Sequence, residues 1–136
     1  MSTTHGDVYF RTRLQATGET VKSSYLVVLC DGPSGDESVY TALTTAPHLP
    51  LNEGCHLAHP ASYRVPKNET PLEGEARVMI DQIHLVDALA LTEHCEHVGR
   101  LESPVTRRIL ECASECPTLS GYERRHLQAA ADLLDD

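Results

Sequence analysis

Tryptophan is absent from this 136-residue chain, and one Phe and five Tyr bring the aromatic residues to 4%. The core must therefore rely on Val, Leu, Ile and Ala. No stretch approaches the roughly 18 apolar residues that a membrane span requires. The opening Met1-Ser2-Thr3-Thr4-His5 has neither the basic nor the apolar region of a secretory signal, so a cytoplasmic protein with no membrane association is expected. Cations are scarce as well: 11 Lys and Arg stand against 20 Asp and Glu, a formal charge of -9. Nonspecific binding to a polyanion depends on Lys and Arg displacing counterions from phosphates, so any nucleic-acid site must be local. The acidic residues concentrate at 31–37, 69–75 and 93–102 and at Asp132, Asp135 and Asp136, and need not share one surface. Cys30, Cys55, Cys95, Cys112 and Cys116 are odd in number and scattered, which suits free thiols in a cytosolic chain better than a disulfide framework.

What is present is ordinary globular material. Apolar residues make up 40% and charged residues 23%, enough for one compact domain spanning 1–136. Residues 6–14 are rich in strand formers and read as a first strand. Tyr25-Leu26-Val27-Val28-Leu29-Cys30 is a continuous apolar run ended by Asp31-Gly32-Pro33, which fits a central strand buried on both faces. Residues 38–46 give a third strand. Residues 47–71 hold five Pro and three His and cannot form one regular element, although 61–65 fit a short strand. Residues 76–87 are long enough for a strand that bends or changes partner. Short strands joined by turns favour a small closed barrel, at about 6–101, over an open sheet with exposed edges.

The pattern then turns helical. Residues 89–97 fit a short helix, and Val98-Gly99-Arg100-Leu101 a last extended piece. Ser103 as N-cap with Pro104 behind it starts a helix over about 103–116, with Val105, Ile109, Cys112 and Cys116 on one face. Ser120 and Glu123 form a capping box for a second helix over about 120–134, whose apolar face is Leu127, Ala130, Ala131 and Leu134. The fold class is mainly β with C-terminal helices, α+β.

Gly6-Asp7-Val8-Tyr9, Leu43-Thr44-Thr45, Asp81-Gln82-Ile83-His84-Leu85-Val86-Asp87 and Val98-Gly99-Arg100-Leu101 follow one another in an order and spacing that resembles the MazF/PemK toxin family. The resemblance implies an SH3-like β-barrel that forms a homodimer. It also implies a metal-independent endoribonuclease that cleaves single-stranded RNA, needs no cofactor, and pairs with a small antitoxin protein. The family carries an Arg at the start of its second strand and a Thr or Ser at the end of its third. Thr44 matches the hydroxyl position, whereas Ser23 stands where the Arg is expected.

That departure bears on the chemistry. Attack of a ribose 2'-hydroxyl on phosphate needs a proton acceptor, a proton donor and a cation facing the developing charge. Thr44 supplies a neutral hydrogen bond. The candidates to replace the missing cation are Lys22, one residue away, Arg11, Arg13 and His84, whose imidazole suits acid–base work near neutral pH. Arg11, Arg13 and Ser23 are the candidate RNA-binding residues. For each there is a plainer account: Thr44 as a β-branched strand residue, Lys22 as a loop cation, Arg11 and Arg13 as an exposed strand face, His84 as a satisfied core histidine.

Cys55, His56 and His59, with His94, Cys95 and His97, offer zinc-type ligands, but not at the spacing of a structural zinc knuckle, and no metal is assigned. An alternative from another class is a catalytically impaired MazF-like dimer that binds a protein partner.

Overall fold

A computed structural model describes residues 5–12, 23–32, 38–45, 54–57, 61–66, 69, 76–81 and 83–134. It is mostly β with three helices. In chain order the elements are β1 (Asp7–Thr12), β2 (Ser23–Asp31), β3 (Ser38–Thr45), β4 (Gly54–His56), β5 (Ser62–Val65), β6 (Ala76–Met79), β7 (His84–Asp87), α1 (Ala88–His94), β8 (Glu96–Arg100), α2 (Ser103–Ala113) and α3 (Gly121–Asp132). Every pairing is antiparallel, in the order β4-β5-β6-β3-β2-β1-β8.

The segment 76–87 divides between two partners' worth of pairing on one strand. β6 pairs with the end of β3 at Thr44 and Thr45, and β7 pairs with its start from Ser38 to Thr41. β4, of three residues, lies in the Pro-rich stretch, where the sequence gives no sign of it.

Among the described residues the ladder is open, with β4 and β8 at its ends and no pairing between them. Helices rather than barrel closure cover the two faces. α2 and α3 lie over Val27, Leu29, Ala42, Val65, Val78 and Ile80, and α1 lies over Tyr9, Leu26, Val28 and Val39. Successive strand residues point to opposite faces, so β2, with Leu26 to Leu29 all 3% exposed or less, serves both cores at once. This is why it reads as an unbroken apolar run.

Gly6 joins the sheet to the helical layer. Its φ is +85°, and a Cβ there would stand 2.6 Å from the Leu101 carbonyl oxygen and 2.7 Å from Thr106 Oγ1. Its amide donates to the Val28 carbonyl at 2.7 Å and its carbonyl accepts from the Leu101 amide at 2.8 Å. Only a residue without a side chain fits.

The helix starts follow local capping. Ser120 Oγ accepts from the Glu123 amide, and the Glu123 carboxylate accepts from the Ser120 amide, completing the expected box. At α2 the cap is Glu102, one residue earlier than expected, and Ser103 is the first helical residue. Ser103 Oγ instead meets His5 Nε2 at 3.1 Å.

The expectation of five free thiols is corrected. Cys55 on β4 and Cys112 on α2 form a disulfide across 57 residues of sequence, and Cys30, Cys95 and Cys116 are free. Cys55 lies opposite Tyr63 in register and so points to the face that α2 covers. No sequence spacing carries that meeting. Among the described residues, no helix is long and apolar enough to cross a membrane.

Candidate functional site

Of the residues expected to share a site, Thr44 and His84 lie on opposite faces of the sheet. Thr44 is 3% exposed, lies opposite Tyr25 and Val78, and points to the face covered by α2 and α3. Its Oγ1 has no hydrogen-bond partner among the described residues. His84 lies opposite Thr41, three residues from Thr44, so its side chain points to the other face. Along the strand the two positions are about 10 Å apart. Lys22 and Arg13 lie outside the described residues. The backbones of Arg11 and Ser23 are one register step apart, through the pairs Arg11 with Ser24 and Thr12 with Ser23.

A different cluster forms where β1 meets β8. Asp7 is 3% exposed at its side chain, and its Oδ1 accepts from Arg100 Nε at 2.8 Å and lies 3.1 Å from His97 Nε2. His97 and Arg100 are 49% and 56% exposed at theirs, so a buried carboxylate holds two groups that remain open to solvent. Tyr9 meets the His97 ring edge-on, with centroids 5.3 Å apart. Burial pushes the Tyr9 hydroxyl above its ordinary pKa, and Asp7 and Cys95 add to that while Arg100 opposes it. Arg100 in turn is raised, chiefly by its hydrogen bond to Asp7. A β-bulge makes this convergence possible. Val8 pairs with Gly99 and Tyr9 with His97, so Val98 is the extra residue and both His97 and Arg100 reach the same side as Asp7.

The same sheet face gathers further cations. Arg64 and Arg77 lie directly opposite each other on β5 and β6, and His56 lies opposite Ser62. Arg77 Nε donates to Ser62 Oγ at 2.9 Å. Val78, the next residue on β6, packs into the core under α2 and α3, so Arg77 points to the other side, the side of His84. The described strands thus put Arg64, Arg77, Arg100, His56, His84 and His97 on one side. The acidic groups that they add there are Asp7, engaged as above, and Asp31 at the end of β2, opposite Val39.

No family model matches the chain, and no curated protein does either.

Asp7 and Arg100 stand in plain view within the Gly6-Asp7-Val8-Tyr9 and Val98-Gly99-Arg100-Leu101 motifs, but each motif alone reads as strand. His97 reads in the sequence only as a zinc-type ligand. The signal that joins them is register, which the sequence does not carry. Among the described residues no group of three or more His, Cys, Asp or Glu is placed to hold a metal. Cys55 is engaged in its disulfide and points away from His56, while His59 lies outside the described residues.

A separate cavity of about 380 Å³ lies between α3 and β2, lined by Leu29, Leu110 and Leu134 with Cys30 and His126. Burial and the neighbouring Asp31 push the Cys30 thiol up to about 12, so it stays protonated and unreactive at neutral pH.

Proposed function

We propose that the chain is an endoribonuclease of the MazF/PemK kind that binds single-stranded RNA on the sheet face carrying Arg64, Arg77, His97 and Arg100. The observation that carries this reading is that the described strands place three arginines, Arg64, Arg77 and Arg100, on one face of a chain of net charge -9. Phosphate binding needs such a patch, and nothing in the overall charge provides for it. The convergence of the Gly6-Asp7 and Arg100-Leu101 motif pieces adds support, because two segments that carry the resemblance work as one structural unit. On this reading the sheet is a variant of the SH3-like barrel with β4 and β8 bordering its gap. The protein is a homodimer, and its antitoxin is the small protein that restrains it.

The test is to incubate the purified chain with a single-stranded RNA and with the same sequence as a duplex, in EDTA, and to resolve the products on a denaturing gel. Cleavage of the single strand alone is expected. Intact RNA in both arms contradicts the reading, and RNA that is bound but uncleaved is the outcome of a catalytically impaired binding module.

A further inference from the structure

We infer that His97 and Arg100 are the reacting pair of this ribonuclease, with Asp7 as the residue that positions both. The inference rests on the reading of the chain as an RNA-cleaving enzyme, and it moves the chemistry away from Thr44 and His84.

The geometry supplies what phosphodiester cleavage requires. Asp7 engages His97 through Nε2, which leaves Nδ1 without a partner among the described residues. It engages Arg100 through Nε, which leaves the two terminal nitrogens of this half-exposed side chain without a hydrogen bond among the described residues. Those nitrogens form the planar pair that suits two oxygens of one phosphate, and the guanidinium stays charged at every working pH. Both groups depend on the same oxygen of a buried carboxylate, so their relative placement is set before substrate arrives. Such preorganisation is what makes a charge effective in a transition state. The Tyr9 ring meets the imidazole edge-on.

The step balances with these groups and solvent water. His97 Nδ1 takes the proton of the ribose 2'-hydroxyl as the 2'-oxygen bonds to phosphorus. The bond from phosphorus to the 5'-oxygen breaks on the opposite side, that oxygen takes its proton from water, and the imidazolium gives its own proton back to solvent. Arg100 faces the charge that builds on the non-bridging oxygens. The products are a 2',3'-cyclic phosphate and a free 5'-hydroxyl, and no further reactant is consumed. The substrate is therefore an RNA strand with an intact 2'-hydroxyl at the cleaved position, and a 2'-deoxy nucleotide there blocks the step.

The experiment compares His97→Gln, Arg100→Lys and Asp7→Asn with the wild type on one single-stranded RNA, reading kcat, KM, melting temperature and product termini. A copy of that RNA with a single 2'-deoxy substitution at the cut site completes the set. His97→Gln should lower kcat at least about 100-fold, the usual span of general acid–base catalysis, with KM and melting temperature close to wild type. Arg100→Lys should lower kcat while retaining RNA binding, because the charge survives and the planar fork does not. Asp7→Asn should lower kcat more than it raises KM, which a purely structural role does not predict. A wild type that cleaves while His97→Gln keeps full kcat overturns this assignment and leaves the ribonuclease reading standing. A wild type that leaves the RNA intact removes both.

Discussion

Asp7 and Arg100 are 93 residues apart in the chain and meet at 2.8 Å, the Arg100 Nε donating to Asp7 Oδ1. One residue before β1, the Gly6 carbonyl accepts from the Leu101 amide, so the contact belongs to a continuous seam between the first strand and the last. Through that seam the N-terminal strand also closes onto α2, because Thr106 stands directly against Gly6. The seam orders the sheet edge on which His97 and Arg100 are displayed.

Thr44 tests whether the hydroxyl position suggested by the resemblance is functional. Its Oγ1 is buried and has no hydrogen-bond partner among the described residues, and a buried polar group without a partner costs about 1–3 kcal/mol. Thr44→Val keeps the shape and removes that cost, so urea unfolding should show a gain of about 1 kcal/mol. RNA cleavage should stay at the wild-type level. A folded Thr44→Val protein that no longer cleaves would return Thr44 to the active site.

The disulfide makes a second prediction. Cys55 and Cys112 close a loop with a sequence separation of 57, for which chain entropy gives a stabilisation of about 4 kcal/mol. Cys55 is exposed, so Cys55→Ser removes the bridge without burying a hydroxyl. Denaturant unfolding in the absence of reductant should separate the two proteins by that amount. With a dithiol reductant present the wild type should fall to the level of the variant, and a reductant-insensitive wild type would show that the bridge contributes no stability.

Cys30 gives the fold a dependence on alkaline pH. Its thiol titrates at about 12 in the folded chain, against 9.0 for an unperturbed thiol. Between those values the unfolded chain releases a proton that the folded chain keeps. The stabilisation is thus complete below pH 9 and declines as pH rises towards 12, at about 1.4 kcal/mol per unit. Stability measured from about pH 8.5 to 10.5 should fall more steeply for the wild type than for Cys30→Ala. Parallel curves would contradict the burial of this thiol.

Much of the fold can be read from the sequence because its signals are local. The run from Leu26 to Leu29 marks a strand buried on both faces, and Ser120 with Glu123 marks the start of α3, each within a few residues. What cannot be read depends on pairing across the chain. Cys55 and Cys112 carry no spacing rule, and the three residues of β4 are too few for a period to appear in the Pro-rich stretch. The candidate site is less legible for a related reason. Thr44 and His84 are residue types suited to the chemistry, but strand alternation places them on opposite faces. Asp7, His97 and Arg100 become neighbours only through antiparallel pairing and a bulge at Val98.

RNA is expected on the face bearing Arg64, Arg77 and Arg100 rather than on the layer of α2 and α3, where α3 carries Arg124 and Arg125. The most direct measurement is the salt dependence of binding to a short single-stranded RNA, carried out on His97→Gln so that the strand stays intact. Arg64→Ala combined with Arg77→Ala should weaken binding and reduce the slope of log affinity against log salt by about 0.7 for each phosphate no longer neutralised. Arg124→Ala combined with Arg125→Ala should leave both unchanged. Equal weakening by the two pairs, or weakening confined to the helical pair, would show that RNA does not bind through Arg64 and Arg77.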